Sequence, residues 1–225
     1  MKLTLRDARI LRDLTLSKVL SRDQLISLGY FDSVSRCNRT LRRLCVTGLA
    51  RSVQTPFHGQ RLYCSTKAAA EVVGARMARF LTAQAGPPRF LLHALAVTDV
   101  RIAFLNSCAS DWRFEAQLRH TFTFHGAAFE VRPDGMALIN EVPVLIEVDL
   151  GHCSMNRFRS KLGAYRNYNA SGCFQSAYNA SKLCLTVVTT GERRKGHLEA
   201  LAEADERFVF RTFSEIGAPS PEVWS

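Results

Sequence analysis

V-R-P-D-G-M-A-L-I-N-E-V-P-V-L-I-E-V-D-L-G, residues 131–151, is the stretch that decides how the chain is read. Two apolar runs with alternating patterns flank Asn140-Glu141, a turn-prone pair, and predict a β-hairpin. With those two residues as the loop, opposed positions sum to 281, so Asp134 is expected to face Glu147 and Arg132 to face Asp149. Side chains alternate along a strand, so these four polar groups share one face, while Ile146, Val148 and Leu150 point the other way into a core. Carboxylates converging on strands this apolar are costly unless something compensates them. A bound divalent cation would do so, since Mg²⁺ is typically held by one or two carboxylates plus waters. The plainer alternative is solvated acids at strand ends, with Arg132–Asp149 an ordinary cross-strand ion pair worth roughly a few tenths of a kcal/mol.

The rest of the composition sets the frame around that hairpin. With 225 residues, 47% of them apolar, the chain can form one large domain or two small ones. No run is expected to reach the length of a membrane span, and residues 1–12 are charged throughout. The expectation is therefore a cytoplasmic chain without signal peptide or membrane partner. Seven cysteines, an odd number with no C-x-x-C pair, argue for reduced, mostly buried thiols and against disulfides or a zinc site. The formal charge of +10 is unevenly placed: through Ala85 there are 15 Lys and Arg against 5 Asp and Glu, and from Gly86 onward 15 against 15. A basic module joined to a neutral one predicts that the first meets a polyanion.

In the first module, Ile10, Leu11, Leu14 and Leu16 mark a short helix, and Ser21 caps a second one that runs to Leu28. Ser33 or Ser35 opens a third, with Val34, Cys37, Leu41, Leu44 and Cys45 on its buried face and Gly48 as its stop. Its other face carries Arg36, Asn38, Arg39, Arg42 and Arg43. Two short strands around a loop with Pro56 and Gly59 make a wing that bears Arg61, and a helix from Thr66 to about Arg79 closes the unit. Three helices and a wing predict a winged helix-turn-helix over residues 1–80. Its arginines and asparagine suit double-stranded DNA, since Arg and Asn read guanine and adenine edges in the major groove. The Gly-Pro-Pro of residues 81–89 predicts a linker.

Residues 90–225 read as a helix to about Ser107, a strand or helix end over 111–118, strands over 128–139 and 143–150, and a helix from Ser154 to about Tyr168. A buried strand over 183–190, a helix over 192–204 and a last strand over 207–213 complete the order. The fold class expected is α+β or α/β, with a mixed sheet flanked by helices.

That order, with R-P-D-G on one strand and E-V-D on the next, resembles the restriction-endonuclease-like, or PD-(D/E)xK, superfamily. The chain as a whole is similar to the replication-relaxation family of plasmids and other mobile elements. The resemblance rests on Arg132-Pro133-Asp134-Gly135, Glu147-Val148-Asp149-Leu150-Gly151 and Arg159-Ser160-Lys161-Leu162-Gly163-Ala164-Tyr165, with His93 and Asp99 matching an earlier helix. It implies a metal-binding nuclease-like site of Asp134, Glu147 and Asp149. Asp149 stands where the superfamily's lysine belongs, so the resemblance makes Lys161, on the following helix, the substitute. If Lys161 reaches over the strands it serves the attacking water or the leaving oxygen; if it extends into solvent the domain is kept for binding. Arg132 would bind phosphate or hold Asp149, and Glu115 and His152 are accessory candidates.

Three functions remain open from the sequence. One is a DNA-binding protein acting in plasmid replication, mobilisation or their control, with other plasmid replication or mobilisation proteins as partners. The second is a metal-dependent DNA endonuclease or nickase. The third is a transcriptional repressor that forms a homodimer through its second domain.

Overall fold

The hairpin at the centre of the sequence forms in the register its loop dictates. In the computed structural model, which describes residues 3–74, 88–107 and 109–221, Gly135 pairs with Ile146 and Ile139 with Val142. The two-residue loop between them works because Asn140 and Glu141 both take positive φ, 50° and 65°, which matches a tight turn to the twist of its strands.

The described residues divide after Ile102 into two compact units. In the first, α1 (Leu5–Leu16) is capped by Thr4. A two-residue strand β1 (Leu20–Ser21) leads into α2 (Arg22–Ser27), where Ser21 and Gln24 cap reciprocally, and Ser33 caps α3 (Val34–Val46). The three helices bury Ile10, Leu11, Leu14, Leu25, Leu41 and Leu44 together. Val34, expected inside, is exposed, because it stands in the first turn, before the buried row begins at Cys37. Gly48 at φ 71° ends α3, its N–H and that of Leu49 turning back to Cys45 and Leu44. Strands β2 (Ala50–Thr55) and β3 (His58–Ser65) follow, in an antiparallel sheet of order β1-β3-β2. Lys67–Ala69 make a 3-10 turn before α4 (Ala70–Val73).

Helix α5 (Pro88–Ser107) opens on a proline, which suits a first turn whose N–H groups have no helical partner. Of the expected linker, residues 81–87 lie outside the described residues. The sequence places this helix at the start of the second module, whereas residues up to Ile102 belong with the first. Leu91, Ala94 and Leu95 pack with Val19, Leu62 and Cys64, so α5 covers the face of the sheet that the three helices leave open. A second correction concerns membranes: Phe90–Ser107 is long and apolar enough to cross one by length and composition. Its ionised side chains are tied to the first unit, Asp99 accepting from Gln24 at 2.7 Å and Arg101 meeting Asp13 at 3.0 Å.

The second unit is built on a mixed sheet of order β10-β9-β8-β7-β4. Strands β4 (Ala109–Phe114), β7 (Gly135–Ile139) and β8 (Val142–Asp149) are antiparallel, and β9 (Cys184–Thr189) and β10 (Phe208–Thr212) join β8 in parallel. The strand expected over 128–139 is broken. Its first half, β6 (Ala127–Val131), pairs instead with β5 (His120–Phe124) as a separate hairpin that the sequence reading did not contain. Pro133 sits in the break, and a residue without an N–H cannot continue a ladder. Gly135 serves packing: an added Cβ would fall inside the indole of Trp112, which a bulge in β4 brings over it.

Helices α6 (Met155–Ala170), α7 (Cys173–Tyr178) and α8 (Glu192–Ala202) complete the unit. Its core joins Leu145, Leu185 and Val187 of the sheet to Phe158, Leu162, Tyr165 and Leu198 of the helices. Leu145 shares a strand face with Glu147 and Asp149. The carboxylates therefore lie on the side packed by α6 and α8; Ile146 and Val148 are buried on the other.

Candidate functional site

The site grows from the open end of the β7–β8 hairpin. The regular ladder stops at Gly135–Ile146, one pair short of the expected Asp134–Glu147 opposition. Asp134 continues the contact by other means. Its N–H donates to the Ile146 carbonyl at 2.9 Å, and its Oδ2 accepts the Val148 N–H at 2.8 Å. The side chain thus stands in for a strand carbonyl beside Pro133.

Glu147 is 1% exposed and both of its oxygens are engaged. Lys161 Nζ donates to Oε2 at 2.5 Å and the Tyr165 hydroxyl to Oε1 at 2.5 Å. Lys161 and Tyr165 are four residues apart, so one face of α6 presents both. Burial pushes the Glu147 carboxyl up, the Lys161 cation pulls against it, and the nearby Asp134 charge adds to the rise. For Lys161 burial works downward, but Glu147 and Asp134 outweigh it and the ammonium is held above its ordinary value. The Lys161 side chain remains 41% exposed while its ammonium is bonded to the buried carboxylate.

Asp149, 5% exposed, turns to a partner that the sequence did not suggest. Arg194 of α8 grips it with Nε at 2.7 Å and Nη2 at 3.2 Å, and Thr189 donates at 3.1 Å. Arg194 also donates to the Cys153 carbonyl at 2.7 Å. A forked guanidinium–carboxylate pair is directional as well as strong, and it fixes α8 and the 150–154 loop to the end of β8.

The expected Arg132–Asp149 pair does not form. With the strand broken at Pro133, Arg132 leaves the ladder and meets Glu115 at 2.8 Å. His152 is exposed in the loop after β8. Among the described residues, no three His, Cys, Asp or Glu side chains converge as metal ligands. The oxygens of Glu147 accept from Lys161 and Tyr165, and those of Asp149 from Thr189 and Arg194.

The cationic face of the first unit is arranged differently. Arg36, Asn38, Arg39 and Arg42 of α3 are exposed, as is Arg61 on β3. Arg36 is 3.8 Å from Asp32, both in solvent, and among the described residues Arg39, Arg42 and Arg61 make no ion pair. Arg43, expected on the same face, bends back to Asp7 of α1 at 2.5 Å. Asp7 is also the capping partner of Thr4, so Arg43 ties two helices together.

Sequence reasoning missed Arg194, Thr189 and the acid-binding role of Tyr165. Tyr165 was visible as the last residue of the R-S-K-L-G-A-Y run, four past Lys161. Arg194 carries no comparable signal, standing in an ordinary charged helix start 45 residues from its partner.

A family model described as replication-relaxation matches residues 11–183 of the chain. A search of curated proteins finds no match. Among solved structures, the crystal structure of protein VC1899 from Vibrio cholerae is similar at 11% identity and a TM-score of 0.34, over 96% of this chain and 55% of that one. This chain thus spans about half the length of that protein.

Proposed function

The chain belongs to the replication-relaxation family, and from that premise we propose that it is a duplex-DNA-binding protein of a plasmid or other mobile element, acting in replication, relaxation or mobilisation. In this reading the first unit is a winged helix-turn-helix. Helix α3 enters the major groove with Arg36, Asn38, Arg39 and Arg42, and the β2–β3 wing brings Arg61 to the backbone. The observation that carries the proposal is the division of α3 into two faces, Cys37, Leu41 and Leu44 buried and the cations turned to solvent. A cationic side chain left without an internal partner costs nothing in the free protein and is available to phosphates, whose neutralisation releases counterions.

The second unit is, on this reading, a restriction-endonuclease-like domain retained for binding. Lys161 and Arg194 hold Glu147 and Asp149 as permanent internal cations, so the acids need no metal to be tolerable in the core. The arrangement that would suit an active nuclease is Lys161 over the strands, and it is present. The donors on both carboxylates weigh the other way.

The test has two arms on the full chain. Duplex DNA should bind at low salt, and Arg39→Ala with Arg42→Ala should weaken binding at least tenfold, the equivalent of about 1.4 kcal/mol. Equal binding by wild type and the double variant would sink the winged-helix reading. Supercoiled plasmid incubated with Mg²⁺ or Mn²⁺ should remain intact; cleavage that is abolished by EDTA and by Glu147→Gln would make the second unit a nuclease.

A further inference from the structure

Helix α3 exposes a side chain of a kind that its place does not call for. Val34 opens the helix, directly after the Ser33 cap, and is 46% exposed. Cys37, Leu41 and Leu44 enter the core of the first unit, and Val34 takes no part in it. A first helical turn has no need of valine, since a β-branched side chain loses rotamer freedom there. Among the described residues five large apolar side chains are exposed, and two of them, Val34 and Val46, stand on this one helix.

The rest of the exposed face is polar: Ser35, Arg36, Asn38, Arg39 and Arg42. Asn38 follows Val34 by four residues, so the two are neighbours on the helix surface. Helical side chains lean towards the N-terminus of their helix, and the Asn38 amide therefore leans towards the first turn. That end of α3 offers solvent a paired donor and acceptor beside two bare methyl groups.

In the major groove the C5-methyl of thymine is the one methyl group that the base pairs present, and an amide matches the N6 and N7 edge of adenine. Both groups belong to A·T pairs. A recognition helix meets base edges with its N-terminal residues, which is where Val34 and Asn38 stand. Val46 is more exposed, at 80%. It is the last residue of α3, about 18 Å further along the helix axis.

We propose that Val34 is a specificity residue for thymine: its methyl groups pack on a thymine C5-methyl in the major groove, beside an adenine held by Asn38. The inference rests on duplex binding by α3 and deepens it, because it makes an A·T step part of the bound sequence. Contacts from arginine to phosphate hold the helix in the groove without regard to sequence. Val34 brings no charge and gains only where a methyl group meets it.

The test takes duplexes selected from a random library by the full chain and copies them in two forms, with thymine or with uracil, which lacks only the C5-methyl. Each form is titrated with wild type, Val34→Ser, Val46→Ser and the double variant Arg39→Ala with Arg42→Ala. Wild type should bind the thymine form about fourfold more tightly, the worth of one buried methyl group. Val34→Ser should bind both forms as wild type binds uracil, and should melt at the wild-type temperature because the residue lies outside the core. Val46→Ser should keep the fourfold ratio. The double variant should lose affinity for both forms, and that loss tests duplex binding by α3 separately. The proposal is overturned, with duplex binding left standing, if wild type binds the two forms equally or if the ratio survives Val34→Ser. It is equally overturned if Val46→Ser removes the ratio, if Val34→Ser weakens both forms alike, or if selection enriches no sequence.

Discussion

On α3 the guanidinium groups of Arg39 and Arg42 stand in solvent without an ion pair among the described residues, whereas on α8 Arg194 is folded inward around Asp149. The two regions handle charge in opposite ways. In the first unit Arg36, Arg39, Arg42 and Arg61 are left on the surface, where a cation costs no desolvation. In the second, carboxylates are carried into the core and each acquires an internal cation. An unmatched charge at the surface is available to a partner, and a matched one in the interior is committed to the fold. Arg43 shows the rule operating within a single helix: it belongs to α3 by sequence and to the interior by its bond to Asp7.

The contrast would break most visibly at Arg194. Arg194→Ala leaves Asp149 buried without its cation, and losing one partner of a buried pair costs about 3–5 kcal/mol. Urea unfolding should show that loss without a change in duplex affinity. A loss under about 1 kcal/mol would mean that Asp149 is solvated and the site open.

Lys161→Ala should cost less, about 1–3 kcal/mol, because its side chain is partly exposed. It should also sharpen a pH dependence. Burial holds the Glu147 carboxyl above its ordinary 4.5, and removing the cation that opposes this raises it further. A group whose folded pKa is raised contributes stability that is complete below its unfolded value and disappears as pH rises through the folded one. The variant should therefore recover towards wild type as pH falls to 5; a constant difference from pH 5 to 8 would show that Glu147 does not titrate there.

Asp99 tests the same rule in the first unit. Burial raises its carboxyl from the ordinary 3.8 to about 6, against the hydrogen bond from Gln24. Stability from this group is full below about 3.8 and is lost as pH rises through about 6. Asp99→Asn should gain roughly 1–2 kcal/mol at pH 8 and nothing at pH 4, by melts across that range. A variant less stable than wild type at pH 8 would show that the ionised form is the one the fold needs.

The smallest effects separate Arg42 from Arg43. Arg42→Ala should change stability by less than about 0.5 kcal/mol and lower the salt slope of duplex binding by about one unit. Arg43→Ala should do the reverse, costing about 1–2 kcal/mol through the stranded, buried Asp7 with the slope unchanged. Identical behaviour of the two would erase the distinction between surface and committed charge.

What the sequence revealed and what it hid follow from the range of each interaction. The β7–β8 register was legible because a two-residue turn between apolar runs leaves few alternatives, and Ser21, Ser33 and Ser154 marked helix starts through bonds spanning three residues. The break at Pro133 was legible in principle, but the alternating pattern on both sides of it favoured one long strand. Helix α5 was placed with the wrong neighbours because it is apolar on most sides, so its periodicity does not say which surface it covers. The facing of the carboxylates was read correctly and their surroundings were not. Alternation fixes which residues share a face; whether water or α6 lies over that face depends on the chain after residue 151. Arg194 was beyond reach for the same reason.

Gly135, the last residue of R-P-D-G, lies directly beneath the Trp112 indole. Its α-protons therefore sit in the ring-current field of that indole, and a proton above an aromatic face resonates upfield. A single displaced glycine signal would report whether β4 has closed onto β7. The pairing at that edge of the sheet, next to Asp134 and the Ile146 neighbour of Glu147, could then be followed proton by proton as the protein is warmed, titrated or mixed with DNA.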